Sequence, residues 1–357
     1  MKGLTHFISG VAFGTFFPAA VVAAAEAKSF ILVLGGVGGI LPDTIDFKVA
    51  RFFEKFDLEI DPVELDMDPQ RMAELVAGAI DQAATENRTV KVILHTVRLG
   101  ADAWRKYSVL FDAEKGQVEI TVGPVVSTSR IPYVPSEPPP DRRRGVAKVK
   151  TKLIHTYDRA NEVTIFSGPD FDFVPRGDHV EIQFLSWHRR WSHSLTLAAA
   201  LGVAMWALVA LLQSLVGFVP AVPAWLYGLV FGGGAAVHVI EDQTGFMGSN
   251  LFYPFTKERT EGMRAFHSGH ALANFTTFYL AVVCIVFNLN RLTPPRPVWE
   301  APWWAFWFWA FVVPMGLVHL AAWYSERRQA RAKKKRDADF GDVQDVVDEM
   351  DETGSGA

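Results

Sequence analysis

From Ser194 to Ile240 the chain carries no Asp, Glu, Lys or Arg. Such a run has room for two membrane-crossing helices of about 20 residues each, with a turn at Pro220 and Pro223 between them. Half of the 357 residues are apolar, 27 of them Phe and 11 Trp, and they are gathered in uncharged blocks rather than dispersed. This pattern describes a polytopic membrane protein with a soluble part. Directly before the run stands His188-Arg189-Arg190-Trp191-Ser192-His193-Ser194. Imidazoles, guanidiniums and hydroxyls at this density are costly to keep at a membrane boundary unless they pair or bind something.

Taken in order, Gly3–Ala25 is uncharged and long enough for one retained span, with His6 its only titratable group. Residues 29–42 are rich in glycine and short, so a thin crossing or a re-entrant piece is expected there, ending at Leu41-Pro42-Asp43-Thr44-Ile45-Asp46. Residues 47–185 read as an inserted soluble α+β domain. An amphipathic helix is expected over 68–87, capped by Asp66 or Asp68, with strand-like runs at 90–94, 107–111, 118–122, 149–155, 163–166 and 180–184. Proline and arginine between 136 and 144 predict an exposed linker. After the 194–216 and 224–241 helices, spans are expected at 267–290 and 301–324, followed by a basic and then acidic, disordered tail over 326–357. The fold class is thus an all-α membrane domain of about six helices, one of them possible as a re-entrant piece, carrying a strand-rich α+β insertion.

The basic flank at 327–336 puts the C-terminus in the cytoplasm by the positive-inside rule, and six crossings put the N-terminus there too. The insertion and the 243–264 loop then share the cytoplasmic side, and the polar groups collect there. His6 opens the first helix; Asp43 and Asp46 end the second piece; His188 and His193 precede the third. His238 and Asp242 end the fourth, where positions i and i+4 share a face, and His267 and His270 open the fifth. The net charge of −4 does not single out a partner, and the basic residues are offset by acids without aromatic interleaving, so no nucleic acid is expected. With Cys284 as the sole cysteine, neither a disulfide nor a thiolate site is available. Imidazole and carboxylate donors suit zinc first, with manganese, iron or magnesium as alternatives.

Three separated blocks resemble a family of membrane-bound proteins described as metal-dependent hydrolases, the group that includes the LexA-binding-related inner-membrane proteins of bacteria. They are Leu41-Pro42-Asp43 with a following aspartate, His188-Arg189-x-x-Ser192-His193-Ser194, and His238-x-x-x-Asp242 followed by Tyr253-Pro254. His6 matches the histidine that opens the family. The resemblance implies a divalent metal held by His6, Asp43, His188, His193, His238 and Asp242, and a hydrolase activity. The chain departs from the pattern at Asp46, which stands three rather than two positions after Asp43, and in its long insertion.

The functional expectation is an inner-membrane hydrolase that cleaves a phosphoester, lipid-linked or small, with metal-activated water at the cytoplasmic face. Asp43, Asp46 and Glu241 are candidates to manage protons. Arg189 is a candidate to hold an anion, and Arg190, His267 and His270 are further substrate-binding candidates. The competing readings are an ion or solute transporter using the His/Asp cluster, and a membrane anchor with a structural metal site. Beyond the lipid bilayer, a protein partner for the insertion is the remaining expectation.

Overall fold

A computed structural model describes residues 2–128, 138–155, 161–163, 169–185, 187–256, 259–266, 269–293 and 300–329. The expected tail beyond 329, residues 136 and 137 of the expected linker, and His267 lie outside these residues; the rest of the linker holds a short 3-10 turn at Pro140–Arg142 and leads into a strand at Arg144. Two compact units are present, one of residues 1–43 with 191–357 and one of residues 44–190.

The first unit is helical. Helix α1 (Gly3–Thr15) and helix α2 (Pro18–Glu26) replace the expected single span and meet at a bend of 99°. The cause is Pro18, which opens α2 at its first position and holds Phe17 in an extended conformation, φ −99° and ψ 106°. Helix α3 (Ile31–Lys48) does not stop at Pro42, as the sequence suggested, but continues through it and carries Asp43 and Asp46 on its last turns. Helices α5 (Leu195–Val216), α6 (Ala224–Gln243), α7 (Ala271–Leu292) and α8 (Trp303–Gln329) are long and apolar enough to cross a membrane. Among the described residues the count is therefore four such helices, or five if the bent α1–α2 pair is one span, against the six expected. Helix α3 is not among them; it ends in Asp43, Asp46 and Lys48. The chain is a multi-pass membrane protein.

Glycine sets how closely these helices approach. A Cβ on Gly39 of α3 would collide with the His6 carbonyl of α1, and one on Gly38 with the Phe231 carbonyl of α6. Small residues give membrane helices backbone-to-backbone contact where the hydrophobic effect offers no drive to associate. Helices α1, α3 and α6 are locked together this way, which fixes where their polar residues point.

The second unit is strand-rich. Helix α4 (Pro69–Glu86) opens at Asp68, whose carboxylate accepts from the Gln70 and Arg71 amides at 2.9 and 3.3 Å. Its apolar face, with Met72, Val76 and Ile80 fully buried, packs into the core. The strands in chain order are β1 (Leu58–Ile60), β2 (Val90–Leu94), β3 (Val97–Arg98), β4 (Ala103–Asp112), β5 (Gln117–Ser127), β6 (Arg144–Lys148), β7 (Lys152–His155), β8 (Asn161–Val163), β9 (Asp170–Arg176) and β10 (His179–Phe184). They form a sheet ordered β1-β2-β9-β10-β7 and a second ordered β3-β4-β5-β6, with β8 beside β4. Tyr107 is fully buried and donates its hydroxyl to the His95 carbonyl at 2.6 Å. Burial pushes this phenol far above its ordinary pKa, so it remains a donor.

A candidate metal centre at the helix ends

In the helical unit, four separated pieces of chain converge. Helix α1 brings His6, α3 brings Asp43, the turn before α5 brings His193, and α6 brings His238, Glu241 and Asp242. Ser194 caps α5 by accepting from the Leu197 amide at 3.0 Å, which fixes His193 just ahead of the helix. Ser192 Oγ lies 2.9 Å from His193 Nδ1. On α6 the four-residue spacing puts His238 and Asp242 on one face.

One ligand atom from each of Asp43, His193, His238 and Asp242 lies within 4.8 Å of the others. His193 Nε2 is 3.1 Å from His238 Nε2, 3.2 Å from Asp43 Oδ1 and 3.4 Å from Asp242 Oδ2. His238 Nε2 is 3.4 Å from Asp242 Oδ2 and 3.7 Å from Asp43 Oδ1. Four donors bound tetrahedrally at ~2.0–2.1 Å would stand about 3.3–3.4 Å apart. Five of the six separations bracket that value and the Asp43–Asp242 pair lies within 4.8 Å, so the donor set fits an ion such as zinc.

The outer contacts favour the same use. His238 Nδ1 is 2.6 Å from the Gly39 carbonyl, which can only accept, so the ring carries its proton on Nδ1. In the neutral imidazole Nε2 is then a lone pair directed into the cluster, an arrangement common in metal-binding histidines. His6 is fully buried, lies against His238 with ring centroids 3.8 Å apart and planes tilted by 35°, and sets Nδ1 2.7 Å from Glu241 Oε2. Its Nε2 makes no hydrogen bond among the described residues and faces Asp242 Oδ1 at 3.5 Å. His6 thus leans on the second oxygen of Asp242 rather than joining the four-atom group. His193, His238 and Asp242 are buried, and Asp43 is the partly open side. A carboxylate buried at 2 % exposure needs positive charge or hydrogen bonds beside it.

Asp46, His188 and Arg189 come together within the strand-rich unit: Asp46 Oδ2 is 2.8 Å from His188 Nδ1 and accepts from the Arg189 amide at 2.9 Å. Arg189 is buried with φ +63°, a left-handed conformation uncommon outside glycine. Arg190 is exposed. His270 is exposed and caps α7, its Nδ1 accepting from the Ala273 amide at 3.2 Å. Gly39 was not a site candidate in the sequence, because a carbonyl partner leaves no mark in side-chain chemistry; the glycine run around it read only as packing.

No curated protein and no solved structure matches this chain. Residues 152–325, just under half of the chain and including His188, His193, His238, Glu241 and Asp242, are similar to the family described as YdjM inner membrane protein.

Proposed function

We propose that the chain is an inner-membrane, metal-dependent hydrolase whose centre is held by Asp43, His193, His238 and Asp242, acting on a phosphoester at the cytoplasmic membrane face. The observation that carries the metal assignment is the match of ligand-to-ligand separations, 3.1–3.7 Å, to one tetrahedral ion. A divalent ion there supplies Lewis acidity toward an ester oxygen and acidifies water at neutral pH. The chain's own groups do the rest. Gly39 holds the His238 ring in its ligand tautomer, and Glu241 anchors the His6 ring that backs Asp242. Asp43, the most open of the four, borders the entry for substrate and is placed to take a proton from water. The likeness to an inner-membrane family supports the location, and the basic flank at 327–336 supports a cytoplasmic C-terminus.

Placement at helix ends favours an enzyme over a transporter. His6 lies in the first turn of α1, His193 immediately before α5, and Asp242 one residue from the end of α6, whereas transport sites sit near mid-bilayer. The test is hydrolysis of aryl phosphomonoesters, aryl phosphodiesters and short-chain phospholipids by detergent-purified protein, stripped and then reloaded with zinc or manganese. Turnover that returns with the ion and is absent from Asp242→Asn supports the assignment. A fully loaded protein that turns over none of these classes contradicts the hydrolase reading and favours a structural metal.

A further inference from the structure

An apolar cavity of about 360 Å³ lies between α5 and α6. Its floor is a glycine crossing. A Cβ on Gly202 would come 2.9 Å from the Gly228 carbonyl oxygen, and one on Gly232 would come 2.7 Å from that of Ala198. The two backbones therefore touch, and larger side chains rise on either side to leave a trough. Trp206 and Trp225 stand at one end of it, Leu195 and Ala236 at the other. Apart from the two indoles, every lining residue is aliphatic or glycine.

Both ends of the trough have meaning. Leu195 is two residues past His193, and Ala236 two before His238, so this end adjoins the candidate metal centre. From Leu195 to Trp206 on α5, and from Trp225 to Ala236 on antiparallel α6, the rise is about 16 Å at ~1.5 Å per residue. One leaflet of a bilayer with a ~30 Å hydrocarbon core is about 15 Å deep. The trough is as long as a single leaflet's acyl chains, begins where the ester chemistry is proposed, and is open on a helix with Val203 and Trp206 59 % and 49 % exposed.

We infer that this trough seats one hydrocarbon tail of a membrane lipid whose phosphorylated headgroup is presented to the His193–His238–Asp242 end. The inference rests on the hydrolase reading for the headgroup, and on the trough alone for the tail. Leaving neighbouring lipid for the trough gains an acyl chain little hydrophobic energy, since both are apolar. Its effect is to fix the depth and direction of the headgroup, the positioning that makes a reaction effectively intramolecular.

The experiment uses the full chain in phosphatidylethanolamine/phosphatidylglycerol vesicles containing a phospholipid with a photoactivatable diazirine on one acyl chain, with labelled peptides mapped by mass spectrometry. Label severalfold higher on 195–206 and 225–236 than on the exposed faces of α7 and α8, and lost in Ala199→Trp or Val203→Trp, supports the tail site. Both residues line the trough, and an indole there fills it without touching the glycine crossing. Leu208→Trp, exposed on α5 outside the trough, should leave the label unchanged. Even labelling of all lipid-facing helices, or cross-links to a second copy of the chain across α5–α6, would overturn the inference. Metal content measured on the same samples separates the two readings: concentrated label without bound metal keeps the tail site and removes the hydrolase.

Discussion

The most informative single substitution is Asp242→Asn, because the account predicts effects on stability that differ with and without metal. Asp242 Oδ2 lies 3.4 Å from the Nε2 atoms of both His193 and His238, and the residue is 2 % exposed. In the metal-free protein it places negative charge in a buried site where His238 Nε2 is a lone pair, an arrangement that costs several kcal/mol unless compensated. The amide removes that charge at nearly constant volume, so Asp242→Asn should change the metal-free protein less than it changes the zinc-bound one. With zinc at about 100 times its dissociation constant, wild type gains about 2.7 kcal/mol through binding to the folded state alone. For a unit of this size that is a rise of roughly 5–10 °C in melting temperature. Asp242→Asn lacks one of the four donors and should show at most a small part of the rise. The assay is thermal unfolding in detergent across a zinc titration, both proteins first stripped by chelator. An undiminished zinc-dependent rise in the variant would refute the assignment of Asp242 as a ligand. A large loss of stability in the metal-free variant would show that Asp242 is held by protein partners alone.

Three further outcomes follow from the geometry. Gly39→Ala drives a methyl into the His6 carbonyl and should separate α1 from α3, lowering stability and bound metal together; Gly316→Ala, which meets open space, should change neither. Trp187→Phe removes the indole hydrogen bond to the buried Asp170 carboxylate and should destabilise the strand-rich unit by about 1–3 kcal/mol, read by urea-dependent proteolysis of that unit. The Lys91 amide, followed by Arg88, holds the Asp57 carboxyl below its ordinary value of 3.8. Its stabilisation is present above that value and is lost as pH falls through the lower folded pKa, so Asp57→Asn should flatten the acid limb of this unit's pH–stability curve.

The membrane part was legible where chemistry is local. The four-residue spacing of His238 and Asp242 on an uncharged helix, and the polar run ending at Ser194, are visible in the chain itself. The α4 cap at Asp68, the apolar run of β2 and the alternation of β4 and β5 were equally direct. Helix breaks were harder, because the outcome at a proline depends on its surroundings. Pro18 bends the chain after two bulky phenylalanines. Pro42 is carried through: the carbonyl its missing N–H would have met belongs to Gly38, in a tract packed against α1 and α6. Asp46 and His188 meet across 142 positions, a pairing that no periodicity encodes. The same is true of the Gly39 carbonyl on His238, which lies 199 positions away.

The central claim is that one divalent ion is held by Asp43, His193, His238 and Asp242. Elemental analysis of detergent-purified chain, wild type beside His193→Ala and His238→Ala, tests it most directly. About one zinc or manganese per wild-type chain, lost in both variants while each remains folded, is the predicted result. Wild-type protein that binds no such ion after reconstitution, or variants that keep it, would contradict the account.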